Sequence, residues 1–351
     1  MGYQTRLVMI VRIMEAATSN ERSFYHSFPR RKPGDTSESA TAKGITLLNS
    51  IRDIGLVLAP EVVEWSIPQI DGTTKVLRYR QVRICFTELS QSELASHSKV
   101  FGAFAVRFST IFLRQLGALP VIYVPQMVKG DRLYSSFGPV IVWMLENARY
   151  TMDQLHMLSI ISDPIKTLDF AKKTNPDVKT VDPNLKINLR NTTETGEVDK
   201  NFEVDASIVK GVLDYLGYKT APFELMRGAL WAAQTLFYPT DDAVHNQELA
   251  YYRQREWRLI PGLSAEGKSL VRPPTESEKE FLLKLDERFW SRELIDDRGR
   301  FVRISEAQVL TEFQGKPISE FIEKVIVPPE VFDVAKAIFT TKVEVITLPS
   351  T

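Results

Sequence analysis

The sequence is poor in cysteine and histidine, and this removes several classes of site. Among its 351 residues there is one cysteine, Cys85. A single cysteine cannot form an intramolecular disulfide or a cysteine-rich metal site, which favours a reducing compartment. No HxxxH or HxH spacing of the kind that binds zinc or iron joins the four histidines, which are His26, His97, His156 and His245. We therefore predict a cytoplasmic protein that uses no metal.

Long apolar runs and an excess of charge are also missing. No apolar stretch reaches the roughly 18 residues that a transmembrane helix needs. Arg12 interrupts the apolar run 6–14, which we interpret as a buried first strand and not as a signal sequence. The 44 basic side chains are balanced by 44 acidic ones. A nucleic-acid partner stays open but is not supported, because nucleic-acid binders usually carry a basic excess, and no membrane partner is expected.

The order of apolar patterns indicates an α+β fold. We predict a mixed, mostly antiparallel sheet core flanked by short helices, with its first half in residues 1–126 and its second half in residues 247–351. Residues 127–246 are predicted to form a mostly helical insertion, with a polar loop near residues 172–205. No phosphate-binding loop, dinucleotide fingerprint or hydrolase nucleophile elbow occurs in the sequence.

Local patterns define the elements of this prediction. Residues 19–43 are rich in Ser, Arg, Pro and Gly, and the core of this stretch, residues 27–39, predicts a mobile loop. Residues 45–58 have helical spacing, and Gly55 is a helix-ending signal. A strand followed by a Ser109-capped helix is predicted over residues 102–117. Further helical patterns cover residues 134–168, 206–216, 222–236 and 276–290, and a strand–helix–strand pattern covers residues 318–348.

The segment YYRQREWRLIPG, residues 251–262, is the first candidate site. In a strand, period two places Glu256 and Arg258 on one face, and Trp257 and Leu259 on the other. One interpretation is a pocket in which the carboxylate accepts a substrate hydroxyl or stabilises a cation, while the guanidinium holds an anion. The other is a structural ion pair at a sheet edge, which is the more common outcome for such spacing.

The segment CFTEL, residues 85–89, is the second candidate, because it ends a predicted strand just before a helix that carries His97. Thr87, Glu88 and His97 are candidate pocket residues. Cys85 and His97 could form a nucleophile–base pair. The alternative is that Cys85 is a small core residue, which is the more common fate of a lone cysteine in an apolar strand.

Three segments, taken in order, resemble the AbiGi family of abortive-infection proteins from bacterial phage-resistance loci. The segments are RICFTELSQSELASHSKVFGAFAVRFS, LGALPVIYVP and YYRQREWRLIPG. The corresponding family patterns are PMxCFxDIPLxxxxxHxxxYGxYGIGLSKxW, NPVxYV and FYxEREWRYVP. The sequence departs from them at Arg83, Glu88, Arg107 and Ser109. The matching positions are Cys85, Phe86, Glu88, Leu89, His97, Phe101, Gly102, Pro120, Val121, Tyr123, Tyr252, Arg255, Glu256, Trp257, Arg258 and Pro261.

This resemblance implies a component of a bacterial anti-phage abortive-infection or toxin–antitoxin system. Such a protein would be a non-catalytic antitoxin or sensor. It would bind a cognate toxin or a phage component through the insertion at residues 127–246. The motif residues would then serve to stabilise the sheet.

The layout is also similar to that of ADP-ribosyltransferases, which implies NAD as cofactor. In that layout an early basic residue, a hydroxyl residue and a late glutamate grip NAD, and a carboxylate stabilises the oxocarbenium-like species formed when nicotinamide leaves. Glu256 would be the catalytic carboxylate. The implied cofactor-binding residues are Arg12, Thr87, Glu88, His97 and Arg258. A nucleic-acid-acting enzyme that uses the arginine-rich face is a third alternative.

Overall fold

The computed structural model divides the chain into two compact units, Met1–Pro139 with Thr235–Thr351, and Val140–Gln234. We refer to these as the first unit and the second unit. The predicted strand at residues 6–14, with Arg12, lies outside the described residues. The residues that the structure describes are 23–30, 34–68, 73–124, 137–182, 184–192, 198–218, 221–239, 255–261, 270–295, 301–302, 306–339 and 343–348.

The first unit is built on a mixed, mostly antiparallel sheet, which confirms the predicted α+β fold class. Its strands are β1 (Ser23–Phe28), β2 (Leu56–Pro68), β3 (Thr74–Leu89), β4 (Phe104–Phe108), β5 (Leu119–Pro120), β6 (Ile122–Val124), β9 (Phe237–Pro239), β10 (Glu256–Leu259), β11 (Leu294–Ile295), β12 (Phe301–Val302), β13 (Gln308–Leu310), β14 (Glu312–Phe313), β15 (Lys316–Pro317), β16 (Ile322–Val327) and β17 (Glu344–Thr347). The β7 and β8 strands belong to the second unit.

The main sheet has the order β13-β2-β3-β1-β4-β16-β17, and β10 joins β3 to β5. Within it, the pair β16–β17 is parallel. This parallel pair is joined by a helix, as the predicted strand–helix–strand pattern requires. The helices of the first unit are α1 (Ser37–Asp53), α2 (Leu94–Phe101), α3 (Thr110–Gln115), α8 (Glu276–Leu285), α9 (Glu287–Trp290) and α10 (Phe332–Ile338).

The mobile loop predicted with its core at residues 27–39 is wrong at its two ends, where strand β1 and helix α1 lie. Strand β1 lies between β3 and β4 in the sheet, with Phe24 and Phe28 buried. Helix α1 begins at Ser37, where the Thr36 side chain accepts a hydrogen bond from the Ser39 backbone. The composition indicated a loop because polar residues surround β1. Hydrogen bonds to a neighbouring strand on each side stabilise β1 as a strand, although its local sequence does not predict one.

The end of α1 shows how a glycine sets a boundary. The predicted helix over residues 45–58 is confirmed as far as Asp53, but Leu56–Pro68 is strand β2. Gly55 has φ 108°, and a Cβ there would collide with the Leu310 carbonyl oxygen. Only glycine fits this left-handed position against a neighbouring strand, so the chain turns from helix to strand at this point.

The two faces of the main sheet differ in character. One face carries the hydrophobic core, in which Phe86, Phe104 and Phe108 are fully buried and α1 contributes Leu48 and Ile51. The opposite face carries polar side chains at every second position of β3, namely Tyr79, Gln81, Arg83, Cys85 and Thr87. Pairing of β10 with β3 adds Glu256 and Arg258 to this polar face.

The second unit is mostly helical. Its elements are α4 (Phe137–Ile161, most of which lies in this unit), α5 (Pro164–Thr174), β7 (Lys186–Thr192), β8 (Val198–Asp205), α6 (Ala206–Tyr215) and α7 (Ala221–Leu236, which ends in the first unit). The helical patterns predicted for this region are confirmed. Residues 172–205, predicted as a polar loop, include the antiparallel hairpin β7–β8. In the described residues, no helix is both long and apolar enough to cross a membrane.

Candidate functional site

Strand β10 places its two charged side chains on the polar face of the sheet, beside β3. Glu256 pairs with Thr87, and Arg258 pairs with Cys85. The prediction that Glu256 and Arg258 share one face is confirmed, since Arg258 Nε donates a hydrogen bond of 2.8 Å to Glu256 Oε1. Their neighbours in sequence, Trp257 and Leu259, pack on the hydrophobic core.

Glu256 is held by three donors. Besides Arg258, the Tyr123 hydroxyl donates to Oε2 over 2.6 Å, and the Cys85 thiol donates to the carboxylate. The Glu256 side chain is only 13% exposed. Both of its oxygens are therefore occupied, and the carboxylate lies largely out of reach of solvent.

Arg258 is buried more completely than its partner, at 1% exposure. Its Nη1 donates to the Thr235 carbonyl oxygen over 2.8 Å and to Gln81 Oε1 over 3.3 Å. The guanidinium carbon lies 4.7 Å from the ring centroid of Tyr238, a cation–π distance. A fully buried guanidinium is costly unless its donors are satisfied, and here acceptors and an aromatic face surround it.

Further hydrogen bonds between polar side chains continue along β3, away from Glu256. Arg83 donates to Gln81 and, over 2.7 Å, to Glu61 Oε2 on β2. The Gln81 amide donates to the Tyr79 hydroxyl over 3.0 Å. The indole of Trp65 donates to the same hydroxyl over 3.0 Å. We call this set the Glu256 network; its members are Glu61, Trp65, Tyr79, Gln81, Arg83, Cys85, Tyr123, Tyr238, Glu256 and Arg258.

Ionisation states in the Glu256 network are fixed by burial and by the neighbouring charges. Burial alone would raise the pKa of Glu256, but the Arg258 charge and the hydrogen bonds from Cys85 and Tyr123 lower it to about 2. Burial and the Glu256 charge raise the pKa of the Cys85 thiol to about 12. Burial likewise raises the pKa of the Tyr123 hydroxyl. At neutral pH the network therefore holds an ionised carboxylate beside a protonated thiol and a protonated phenol.

The structure does not join Cys85 to His97. His97 lies on α2, where its Nδ1 is 3.3 Å from Ser27 Oγ and its ring stacks on Phe101 with centroids 4.4 Å apart. Its Nε2 is buried without a hydrogen-bond partner among the described residues. The Cys85 thiol instead donates to Glu256. A thiolate nucleophile is disfavoured at this position, because the raised pKa keeps the thiol protonated.

The remaining predicted site residues are spread over different places. Thr87, which is partly buried, neighbours Glu256 across the strand pair. Glu88 follows Thr87 in β3 and so lies on the opposite face of the sheet. Arg12 lies outside the described residues. The structure thus brings Glu256, Arg258 and Thr87 together, whereas Glu88 and His97 lie elsewhere.

Sequence reasoning missed several members of the Glu256 network. Along QVRIC, residues 81–85, the period of two places Gln81, Arg83 and Cys85 on one face of the strand. Three polar side chains on one face of an otherwise apolar strand could have predicted this part of the network. Tyr123 is one of the positions that match the family patterns, but the sequence predicted no role for it. Tyr238 carried no sequence signal, because its place depends on β9 pairing with β6.

Arg255 matches the family patterns, but the sequence predicted no role for it. It has φ 43°, an unusual value for a residue other than glycine. Its carbonyl oxygen accepts a hydrogen bond from the Glu88 backbone, and its guanidinium donates to the Glu88 carbonyl oxygen and to Glu93. Arg255 therefore fixes the start of β10 against the end of β3.

The contacts around Glu256 also bear on metal binding and on the NAD-binding role implied for this residue. In the part of the chain that the structure describes, no group of three or more His, Cys, Asp or Glu side chains is placed to hold a metal ion. The implied NAD role requires Glu256 to accept hydrogen bonds from ribose hydroxyls, for which a carboxylate needs free acceptor sites. Arg258, Tyr123 and Cys85 take three of its roughly four acceptor sites.

No family model, no curated protein and no solved structure matches the chain. The resemblance to abortive-infection proteins therefore rests on the motif residues alone.

Proposed function

We propose that this protein acts by binding another protein, as a non-catalytic antitoxin or sensor of a bacterial anti-phage system. The observation that carries the proposal is the exposed apolar surface of the second unit. The motif residues shared with abortive-infection proteins support the anti-phage setting. The single cysteine supports a cytoplasmic site of action.

Helix α6 provides the main part of this surface. Ile208, Val212 and Tyr215 are 57%, 53% and 90% exposed. Their spacing of four and three residues puts them on one side of the helix. Ala206 and Leu213, on the other side, are buried. The helix is thus apolar on two sides, and in the part of the chain that the structure describes only one of these sides is buried.

The hairpin β7–β8 adds a second apolar element. Leu189 and Phe202 are directly opposite each other on its two strands, and they are 38% and 58% exposed. Exposed apolar clusters on a folded protein commonly mark sites of protein–protein interaction. We define the partner surface as Ile208, Val212 and Tyr215 of α6 together with Leu189 and Phe202 of the hairpin.

A test on the partner surface uses co-expression with the toxic product of an adjacent gene. The wild-type chain is expected to relieve growth arrest, and Tyr215→Lys and Phe202→Lys are expected to lose that relief while the protein stays folded. Ile111→Lys is the matched control, because Ile111 is 70% exposed on the first unit. If the two second-unit variants protect as well as the wild type, the partner surface is not the one used.

The rival proposal is an NAD-using ADP-ribosyltransferase. One observation favours it: Thr87 and Glu256, two of the residues that the layout implies, are cross-strand neighbours. The bonding of Glu256 opposes it, because the carboxylate is already committed to Arg258 and Tyr123.

Glu256→Gln separates the two proposals. Under the binding proposal the wild type does not release nicotinamide from NAD. The variant loses about 3 kcal/mol of unfolding free energy, because Arg258 keeps a buried charge without its partner. Under the rival, the wild type consumes NAD and the variant does not. Glu312→Gln is the control, because Glu312 is exposed on β14 and belongs to no candidate site. Calorimetry with an NAD-consumption assay gives both readouts.

A further inference from the structure

The chain passes into and out of the second unit by way of two strands that pair with each other. Strand β6 comes before the second unit in the sequence, and β9 comes after it. The two strands are parallel, and Tyr123 of β6 is the register partner of Tyr238 of β9. We define the root as residues 122–124 together with residues 235–239, which include the end of α7. Both connections of the second unit therefore meet at the root.

Each member of the buried ion pair contacts one of these connections. The Glu256 carboxylate accepts a hydrogen bond of 2.6 Å from the Tyr123 hydroxyl on β6. On the other connection, the Arg258 guanidinium donates to the Thr235 carbonyl oxygen over 2.8 Å and lies 4.7 Å from the ring centroid of Tyr238. Arg258 also donates to Glu256, so the pair joins the two connections to each other. We call Glu256 and Arg258, with these contacts to the root, the clasp.

The clasp also fixes the end of α7. Carbonyl groups in the last turn of a helix have no partner within the helix, and a cationic donor is favourable there. Arg258 is such a donor to Thr235, one residue before α7 ends. The preceding residue, Gln234, donates to Glu146 Oε2 on α4 over 2.7 Å, and Glu146 pairs with Arg149. The order of the last turn of α7 thus supports a hydrogen bond within the second unit.

The strands of the root are short, so side-chain contacts matter for its position. Strands β6 and β9 have three residues each, and β10 has four. A two-stranded pair of this length has marginal stability of its own. A buried ion pair is a weak source of stability compared with apolar packing, but its geometry is specific. A charged pair at this place is therefore better suited to fixing the root than to stabilising the whole fold.

We propose that the clasp regulates the partner surface by keeping the root closed. This regulation rests on the proposed binding function and adds to it a control by the first unit. When the clasp opens, the last turn of α7 loses its donor, and the hydrogen bond between Gln234 and Glu146 weakens. Fewer molecules then have an ordered second unit, and the apparent affinity for the partner falls in proportion to that fraction. By linkage, a bound partner favours the closed clasp.

Hydrogen–deuterium exchange of the full chain tests the clasp without any partner. Tyr123→Phe removes one hydroxyl, which donates to a charged group, and keeps the ring. It is expected to speed amide exchange at the root by about tenfold or more, whereas exchange in β1 and β4 keeps its wild-type rate. Tyr25→Phe is the matched control, because Tyr25 is 3% exposed on β1 and its hydroxyl is hydrogen-bonded outside the clasp. It should leave exchange at the root unchanged.

A second variant acts on the other connection. Tyr238→Leu removes the ring beside Arg258 and is expected to speed exchange at residues 122–124, although these residues lie on the opposite strand of the root. Faster exchange confined to the substituted strand, equal acceleration throughout the first unit, or no change at the root would each overturn the proposal.

Co-expression with the toxic product of the adjacent gene tests the regulation. Tyr123→Phe is expected to relieve growth arrest less than the wild type does, although every residue of the partner surface is unchanged. Tyr25→Phe should relieve it fully. An open root with full relief overturns the control of the partner surface by the clasp. If the wild type gives no relief, the binding function fails and the regulation fails with it, whereas the exchange experiment still decides whether the clasp closes the root.

Discussion

The two units of this chain place their apolar side chains in opposite ways. The first unit buries a continuous core beneath its sheet and hides a charged network on the other face. The second unit spans Val140–Gln234, yet 14 of the 21 large apolar side chains that are exposed among the described residues belong to it. The first unit thus uses its large apolar side chains for its own core, whereas many of those in the described part of the second unit remain exposed.

The largest expected contrast comes from one substitution made in each unit. Phe86 is fully buried in the core of the first unit, and Phe202 is 58% exposed on the hairpin of the second. Phe86→Ala should lower the free energy of unfolding by about 3–5 kcal/mol, because it removes a buried ring and leaves a cavity. Phe202→Ala should change it by less than about 0.5 kcal/mol. Urea denaturation measures both, and a comparable loss in the two variants would mean that Phe202 belongs to a core.

The pH dependence of stability gives the second contrast, because His97 belongs to the first unit. Burial lowers the pKa of His97 to about 4 from an ordinary 6.5. The neutral ring therefore stabilises the fold above pH 6.5, and this contribution is lost as the pH falls towards 4, because the unfolded chain binds the proton first. The expected loss is about 2 kcal/mol by pH 4.5.

His97→Phe should flatten this part of the pH profile, since the aromatic stacking on Phe101 is kept and the titrating group is removed. His26, whose pKa burial also lowers, is unchanged in this variant and keeps its own contribution to the slope. Thermal denaturation from pH 7 to pH 4.5 checks the difference. An unchanged slope in the variant would show that His97 is not the group responsible.

The smallest expected effects come from glycine-to-alanine changes in one helix of each unit. A Cβ on Gly44 of α1 would press into the Phe104 ring, whereas a Cβ on Gly228 of α7 meets nothing. Gly44→Ala should cost about 1–3 kcal/mol through overpacking. Gly228→Ala should gain about 0.5–1 kcal/mol through helix propensity. Opposite shifts in melting temperature are expected, and shifts of the same sign would contradict this view of the two units.

The sequence predicted those elements that depend on residues close together in the chain, such as helix caps. The Ser109 cap of α3 was predicted, and its side chain accepts the expected hydrogen bond from the Phe112 backbone. Strand β1 was missed because its formation depends on β3 and β4, which are distant in sequence. The β7–β8 hairpin was missed because its apolar residues are few and lie among polar ones.

The candidate site was predictable in part for the same reason. Period two sufficed to place Glu256 beside Arg258. It could not show that Tyr123 and the Thr235 carbonyl would close around that pair, because both arrive from elsewhere in the chain. Whether a carboxylate is open or enclosed depends on these distant neighbours, so the sequence alone left both interpretations standing.

The position of β10 also bears on how the chain is made. Arg258 contacts Gln81 across 177 positions of sequence, so a ribosome must synthesise all the residues between them before β10 can join β3. Domains usually fold from the N-terminus during synthesis. Until residue 259 has emerged, Arg83 and Cys85 line a sheet without the strand that completes it. During that interval the edge of β3 that pairs with β10 lacks its partner strand, and unpaired edges of this kind are prone to pair with other chains.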